Sequence, residues 1–156
     1  MQFLCNTRHI CRFAVIGLLV VIAIFLISLP RGCKTTGDRM NATEVLAIRE
    51  IKVLQQAQAQ YIARFNKYAS TLAELGPPSS GKPGPKAADL IPASLASGDK
   101  DGYLFTLKLT QQGYAINANP KVYPTLGQRT FYSDQTMVIR QNWAAEPANV
   151  SSPALK

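Results

Sequence analysis

The sequence predicts an α+β fold, in which a long amphipathic helix packs on about four antiparallel strands. An uncharged apolar run, residues 13–29, precedes the more polar part of the chain and ends at Pro30. Apolar residues then recur mostly every three or four positions between residues 48 and 72, which is typical of one helical face. From residue 103 apolar and polar residues alternate, as they do in strands with one buried face. These observations predict a helical stem followed by one small domain.

The apolar run is long enough to cross a bilayer as a helix. It reads FAVIGLLVVIAIFLISL, and at 1.5 Å per residue its 17 residues span about 25 Å, close to the ~30 Å hydrocarbon core of a bilayer. In lipid a single span satisfies its own backbone donors and acceptors only as a helix. We therefore interpret residues 13–30 as a transmembrane stem, with membrane lipid as its partner.

Three interpretations of this N-terminal segment compete. A cleaved secretory signal needs small residues just before its cleavage point, and Pro30 disfavours such a site. A lipoprotein needs small, uncharged residues just before its modified cysteine, but Arg31 stands two residues before Cys33. An uncleaved anchor needs only the apolar length. We favour the uncleaved anchor.

The positive-inside rule leaves the orientation of the stem nearly balanced, because basic groups flank the stem on both sides. A tail of only 12 residues before the stem and a folded domain after it favour a cytoplasmic N-terminus. The expected segments, in chain order, are a cytoplasmic tail (1–12), the transmembrane stem (13–30), a joint (31–40), an extracytoplasmic domain (41–143) and a loosely ordered tail (144–156).

The long helix is expected to begin at Asn41 and to stop at Gly76. Asn41 and Glu44 stand at the spacing of a capping box, in which the two side chains satisfy the first free amides of a helix. Gly76 is followed by two prolines, which cannot continue a helix. Polar residues, Glu50 among them, fill the face opposite the apolar stripe and are expected in solvent. One or two further helical turns are expected within residues 89–96.

Two hairpins are expected to form the sheet. In the first, residues 103–110 reverse at Gln111-Gln112-Gly113 and return over 114–118. In the second, residues 129–132 return over 137–140. The apolar face of the helix should pack on this sheet, and the predicted helix–sheet core consists of Ile48, Ile51, Leu54, Tyr61, Phe65, Tyr68, Leu72, Tyr103, Phe105, Leu107, Phe131 and Ile139.

Composition argues against most catalytic sites. The three cysteines, Cys5, Cys11 and Cys33, lack metal-binding spacing, and the sole histidine, His9, stands before the stem. The chain has neither a phosphate loop nor a nucleophile elbow, so we expect no enzyme, no cofactor and no metal. The stretch Asp99-Lys-Asp101-Gly102 is a fragment of a calcium loop that lacks the distal glutamate, and a turn closed by aspartates is the alternative.

The chain is basic, with a formal net charge of +8 from 17 basic and 9 acidic residues. Such a balance suits anionic partners, including acidic lipid headgroups and nucleic acid. The basic residues are scattered along the sequence, however, which is typical of a solvated surface. Nucleic acid therefore stays an alternative partner that the sequence does not favour.

From residue 13 the chain resembles the type IV pilin-like proteins, which include the pseudopilins of type II secretion. Pilins of this family begin their mature chain with a run such as FTLIELLIVVAI, and residues 13–24 of this chain read FAVIGLLVVIAI. Further likeness lies in residues 47–61, 68–76, 102–105 and 127–134, so that the resemblance covers roughly residues 13–141. The stem positions that the resemblance assigns to membrane insertion and assembly are Phe13, Ile16, Gly17, Leu18, Leu19, Val21 and Ala23.

The resemblance implies a non-catalytic structural subunit of a type IV pilus or of a type II secretion pseudopilus. Its partners would be other pilin-like subunits during filament assembly, or the secretion or pilus machinery. Its location would be the bacterial inner membrane, as a single-pass protein whose domain is periplasmic or extracellular.

Two positions depart from the family pattern. Arg12 stands where prepilin peptidases cut after a glycine, and Gly17 stands where pilins carry a glutamate that pairs with the amine of a neighbouring subunit. One alternative is therefore an unprocessed, single-pass pilin-like protein associated with secretion or pilus machinery. Another is a DNA-binding minor pilin, whose affinity would fall steeply with salt.

Overall fold

A computed structural model describes residues 36–156, with side chains from residue 42 onward. The predicted stem and all of its named residues lie outside the described residues, as do the three cysteines. Within residues 36–156 no helix combines the length and the apolar character that crossing a bilayer requires. The described part of the chain is α+β, with three helices and five strands.

Helix α1, Thr36–Phe65, is the longest described element, with 30 residues. It begins five residues before Asn41, so the expected helix start at Asn41 is wrong, and residues 36–40 of the expected joint are helical. Glu44 also does not act as a capping-box partner. Its two carboxylate oxygens instead accept hydrogen bonds from the chain just before the fourth strand.

The end of α1 also differs from the expectation, because the helix stops well before Gly76. Asn66 adopts a φ of 54°, in the left-handed region that asparagine tolerates better than most residues, and its N–H donates to the Ile62 carbonyl at 2.8 Å. This conformation ends the helix and redirects the chain. Tyr68 and Leu72 therefore lie beyond α1, although they continue its apolar spacing.

Two short helices follow. Helix α2, Leu72–Leu75, begins after Thr71, whose side chain accepts a hydrogen bond from the Glu74 N–H. Helix α3, Ala93–Ala96, begins after Pro92. The prediction of one or two helical turns within residues 89–96 is confirmed over these last four positions.

Five strands form one antiparallel sheet in which each strand pairs with its neighbour in sequence. The first predicted hairpin is confirmed, since Leu107 pairs with Ile116 across it. The second differs from the prediction, because the fourth strand continues to Asp134 and the fifth begins only at Arg140. The strands are β1 (Asp99–Lys100), β2 (Tyr103–Thr110), β3 (Gly113–Pro120), β4 (Thr130–Asp134) and β5 (Arg140–Asn142).

Strand β1 was not part of the sequence prediction. Asp101 and Gly102 connect it to β2, and their φ angles are 51° and 84°. A two-residue hairpin of type I′ needs positive φ at both central positions, and Asp-Gly meets that need well. Of the two interpretations of this stretch, the structure shows the turn.

The core lies between α1 and one face of the sheet. Ile51, Leu54 and Tyr61 supply the helix side, and the Tyr103 and Phe131 rings, with centroids 5.9 Å apart, supply part of the sheet side. Nine of the twelve predicted core residues belong to this cluster, and the other three pack against it. Leu72, Phe105, Leu107 and Ile139 are also buried in it, and Ile48, Phe65 and Tyr68 pack against it in partly buried positions.

The C-terminal segment lies along the edge of the sheet that β5 forms. The Leu155 N–H donates to the Ile139 carbonyl at 2.7 Å, and the Gln141 N–H donates to the Pro153 carbonyl at 2.9 Å. These main-chain bonds occupy part of an edge that would otherwise be free to pair. The segment 144–156 thus has defined contacts, which differs from the expectation of a loosely ordered tail.

Candidate functional site

Four polar side chains of α1 are buried: Glu44, Glu50, Gln55 and Gln58. Burial of a charged or amide group costs free energy unless the group finds hydrogen-bonding partners. Each of the four has a partner on another element or loop, so they fix α1 at four points along its length.

Glu44 makes the most extensive of these contacts, with only 2% of its surface exposed. Its Oε2 accepts hydrogen bonds from Arg129 Nε at 2.8 Å and from Arg129 Nη2 at 2.6 Å. Its Oε1 accepts one from the Gln128 N–H at 2.9 Å. Next to it, the Thr43 hydroxyl donates to the Leu126 carbonyl at 2.5 Å. The first part of α1 is therefore bound to the loop that leads into β4.

The guanidinium group of Arg129 also lies against two aromatic rings. Its Cζ is 4.9 Å from the centroid of the Trp143 ring and 5.6 Å from that of Phe131. Its Nη1 donates to Gln141 Oε1 at 3.0 Å. A cation within about 6 Å of an aromatic face is attracted to it, so the rings and the carboxylate together fix the orientation of the Arg129 side chain.

Large apolar side chains beside Arg129 are exposed. The exposed fractions are 61% for Trp143, 52% for Val122 and 40% for Tyr123, and the Tyr123 hydroxyl lies 3.5 Å from the Trp143 carbonyl oxygen. We name the surface formed by Tyr123, Arg129 and Trp143, together with Val122, which precedes Tyr123 in the chain, the Trp143 platform. Its aromatic and aliphatic groups, with one adjacent cation, suit contact with a partly apolar surface rather than acid–base chemistry.

Tyr103 lies behind the ion pair and donates from its hydroxyl to the Arg129 carbonyl at 2.9 Å. Burial raises the pKa of Tyr103 well above 10, the nearby Glu44 carboxylate raises it further, and the Arg129 cation partly offsets the rise. Tyr103 is therefore a protonated donor throughout the physiological pH range. Gly127 lies against the same ring, since a Cβ at that position would be 2.8 Å from Tyr103 Cζ.

Glu50 forms the second ion pair of α1, with its Oε1 at 2.9 Å from Lys100 Nζ on β1. The expectation that Glu50 faces solvent is wrong, because only 5% of the residue is exposed. Lys100 stands at the edge of the sheet and can reach the helix only because the Asp101-Gly102 turn brings β1 back along β2.

Two glutamines complete the set. Gln55 Nε2 donates to Ser133 Oγ on β4 at 2.6 Å. Gln58 exchanges two hydrogen bonds with the backbone of Ala69, at 3.0 Å to the carbonyl and 2.9 Å from the N–H. The contact between Gln58 and Ala69 holds the chain that follows α1 against the helix.

Among the depressions of the described surface are two open ones of moderate size. One, of about 560 Å³, lies in the loop of residues 78–87 and carries Lys82 and Lys86. The other, of about 290 Å³, lies beside the turn between β2 and β3 and carries Tyr132 and Asp134. Neither depression is lined by a histidine or a cysteine.

No group of three or more His, Cys, Asp or Glu side chains is placed to hold a metal ion anywhere in the part of the chain that the structure describes. In the stretch that resembles a calcium loop, Asp99 Oδ2 lies 2.7 Å from Lys121 Nζ. A lysine at that distance occupies the position that a cation would take.

The sequence alone did not single out the Trp143 platform or its link to α1. Two signals could have found it. Glu44 stands three residues before Ala47 and seven before Ile51, so it is in phase with the apolar stripe, where a charge needs a buried partner. Trp143 is the single tryptophan of the chain and stands in a polar context.

The chain matches no protein-family model, no curated protein and no solved structure.

Proposed function

We propose that this chain is a non-catalytic structural subunit of a type IV pilus or a type II secretion pseudopilus. The observation that carries the proposal is α1, a helix of 30 residues that follows the apolar run 13–29 closely in sequence and is covered along one face by an antiparallel sheet. A helix in this position suits a subunit that is held by a membrane stem and presents a folded domain.

The polar anchors of α1 support a mechanical role. Glu44 binds the loop before β4, Glu50 binds β1, and Gln55 binds β4. Sliding of the helix along the sheet would break buried hydrogen bonds, and those to the carboxylates are among the stronger kinds. A subunit that transmits force along its helix needs this resistance to shear.

A second candidate is an unprocessed single-pass protein of the inner membrane, which contacts secretion or pilus machinery without entering a filament. Arg12 and Gly17 favour it, because they replace the cleavage glycine and the assembly glutamate of pilins. A domain held by an uncleaved stem would keep the same fold and the same buried polar contacts of α1.

The two candidates differ in the mass and the location of the protein. In the source bacterium, material sheared from the cell surface and the membrane fraction are probed for the chain, and its mass is measured. A filament subunit is expected in the sheared material, and loss of residues 1–12 would indicate processing as a pilin. An intact chain confined to the membrane fraction would exclude the filament and support the second candidate, whereas a chain found only in soluble fractions would exclude both.

Matched variants make this test sharper. Arg12→Gly restores the cleavage glycine and should yield the shorter mass wherever a prepilin peptidase acts on the chain. Ile51→Asp places a charge in the core and serves as the folding-defective control. If the wild type keeps its full mass and Arg12→Gly leaves that mass and the location unchanged, processing as a pilin is excluded.

A further inference from the structure

The Trp143 platform is exposed, yet it is tied to the first part of α1. Arg129 connects the two, because it binds Glu44 through Oε2 and lies 4.9 Å from the centroid of the Trp143 ring. Glu44 stands eight residues after Thr36, the first residue of the helix, which is about 12 Å along its axis. The platform is therefore bound to the part of the domain that is nearest in sequence to the predicted stem.

The chain between the stem and α1 is short. Thr36 follows Pro30 by six residues, and six residues reach at most about 20 Å even when fully extended. If the stem crosses a bilayer, as the proposed function requires, the beginning of α1 cannot lie far from the bilayer surface. The platform is then within reach of the lipid headgroups.

The chemistry of the platform suits that environment. Tryptophan and tyrosine are enriched at the boundary between hydrocarbon and water, where the ring meets apolar matter and the polar atom stays hydrated. Both rings are exposed here, and so is the aliphatic side chain of Val122, which precedes Tyr123 in the chain. Residues 36–156 also contain 13 basic against 9 acidic residues, a balance that favours anionic headgroups.

We propose that the Trp143 platform rests on the headgroup region of the bilayer that holds the stem, with anionic lipid preferred. The proposal rests on the membrane anchor of the proposed function, but not on whether the chain enters a filament. It assigns to the domain a second contact with the membrane, made by folded aromatic residues rather than by the stem.

The single tryptophan of the chain makes the contact directly measurable. The full chain is reconstituted into vesicles of phosphatidylcholine with one-quarter phosphatidylglycerol, in which the phosphatidylcholine carries bromine either near the headgroup or deep in its acyl chains. Trp143 emission is expected to fall at least twofold with the shallow bromine and less with the deep bromine. Replacing phosphatidylglycerol by phosphatidylcholine should weaken the quenching.

A second position for the tryptophan provides the control. The double variant Trp143→Phe/Leu109→Trp moves the ring to an exposed site six residues along β2 from Tyr103, about 20 Å away, and should show no quenching by either lipid. Val122→Asp puts a negative charge on an exposed platform position and should at least halve the quenching of Trp143. Circular dichroism of each variant confirms that the fold is retained.

Flotation of the vesicles and extraction at alkaline pH report on the anchor separately. If the chain floats and resists extraction while Trp143 is not quenched, the platform proposal is overturned and the anchor stands. If the chain does not float, both fail. Emission that depends on protein concentration, and not on bromine, would assign the platform to a second copy of the chain and would also overturn the proposal.

Discussion

Arg129 donates from Nε at 2.8 Å and from Nη2 at 2.6 Å to the same carboxylate oxygen of Glu44, which stands 85 residues earlier in the chain. The other oxygen of Glu44 accepts the Gln128 N–H. A single carboxylate thus closes the contact between the start of the helix and the entry to β4. Because Glu44 is buried, its net effect on stability depends on all of these partners being present.

Glu44→Ala should lower the free energy of unfolding by about 3 kcal/mol, because it leaves the Arg129 cation and the Gln128 N–H without their acceptor. Urea unfolding of the full chain in detergent micelles, followed by Trp143 fluorescence, measures the loss. The matched control is Asp99→Ala, which removes the exposed pair with Lys121 and should cost less than about 0.5 kcal/mol. Equal losses of stability in the two variants would contradict the stabilising role assigned to the buried Glu44 carboxylate.

Two buried tyrosines should make the fold sensitive to alkali. Burial raises the pKa of Tyr114 to about 12, with smaller contributions from Tyr68 and Asp134, and burial likewise raises the pKa of Tyr103. In the unfolded chain tyrosine titrates near pH 10. The unfolded state therefore loses these protons first, so the stabilising effect is complete below pH 10 and is lost as the pH rises toward the folded pKa values.

The expected slope is a fall of about 1.4 kcal/mol per pH unit for each buried tyrosine above pH 10. Tyr114→Phe removes one of the tyrosine contributions, so its free energy of unfolding should fall less steeply than that of the wild type between pH 10 and 11.5. Urea unfolding at several pH values measures both slopes. From pH 7 to 9 the difference in free energy of unfolding between the wild type and Tyr114→Phe should stay constant. If the free energies of the two proteins fall in parallel above pH 10, the assignment to Tyr114 is refuted.

The sequence predicted the apolar face of α1 and the hairpin of β2 and β3 because spacing reports burial directly. Ile51 has apolar neighbours at the helical period of 3.6 residues, and Phe105 has them at the strand period of 2. Both residues are buried in the helix–sheet core, as this spacing predicts. The same spacing rule predicted a helix that continues past its true C-terminal end at Phe65. The apolar spacing continues through Tyr68 and Leu72, but the left-handed conformation of Asn66 breaks the helix between them and Phe65.

Long-range polar contacts were beyond this kind of prediction. Glu50 was expected in solvent because its neighbours are polar, yet it is buried against Lys100, a residue that lies 50 positions later and on a two-residue strand. Periodicity shows which apolar residues share a face, but it does not show which charges meet across the fold. Strand β1 itself is too short to produce an alternating pattern.

Gly127→Ala should destabilise the fold by about 2 kcal/mol, because the new methyl group would overlap the ring and hydroxyl of Tyr103 in a site that is already filled. Gly84→Ala is the matched control. A Cβ at residue 84 meets nothing within 4 Å, so that variant should stay within about 0.5 kcal/mol of the wild type. Thermal unfolding of the two variants side by side gives the comparison, and a neutral Gly127→Ala would show that Tyr103 can move.

The C-terminal segment is attached to the sheet through Thr130, which is fully buried on β4. Its hydroxyl donates to the Glu146 carbonyl at 2.8 Å and accepts the Ala148 N–H at 2.9 Å. Thr130→Val keeps the shape but leaves the Ala148 N–H without its acceptor. The Glu146 carbonyl keeps only its bond from Asn142 Nδ2, at 3.1 Å. We therefore expect a loss of about 2 kcal/mol and faster hydrogen exchange of the Ala148 amide. Thr106→Val, at an exposed position of β2, should change stability by less than about 0.5 kcal/mol. If the Ala148 amide exchanges at the same rate in Thr130→Val and in the wild type, this hydroxyl does not hold the segment.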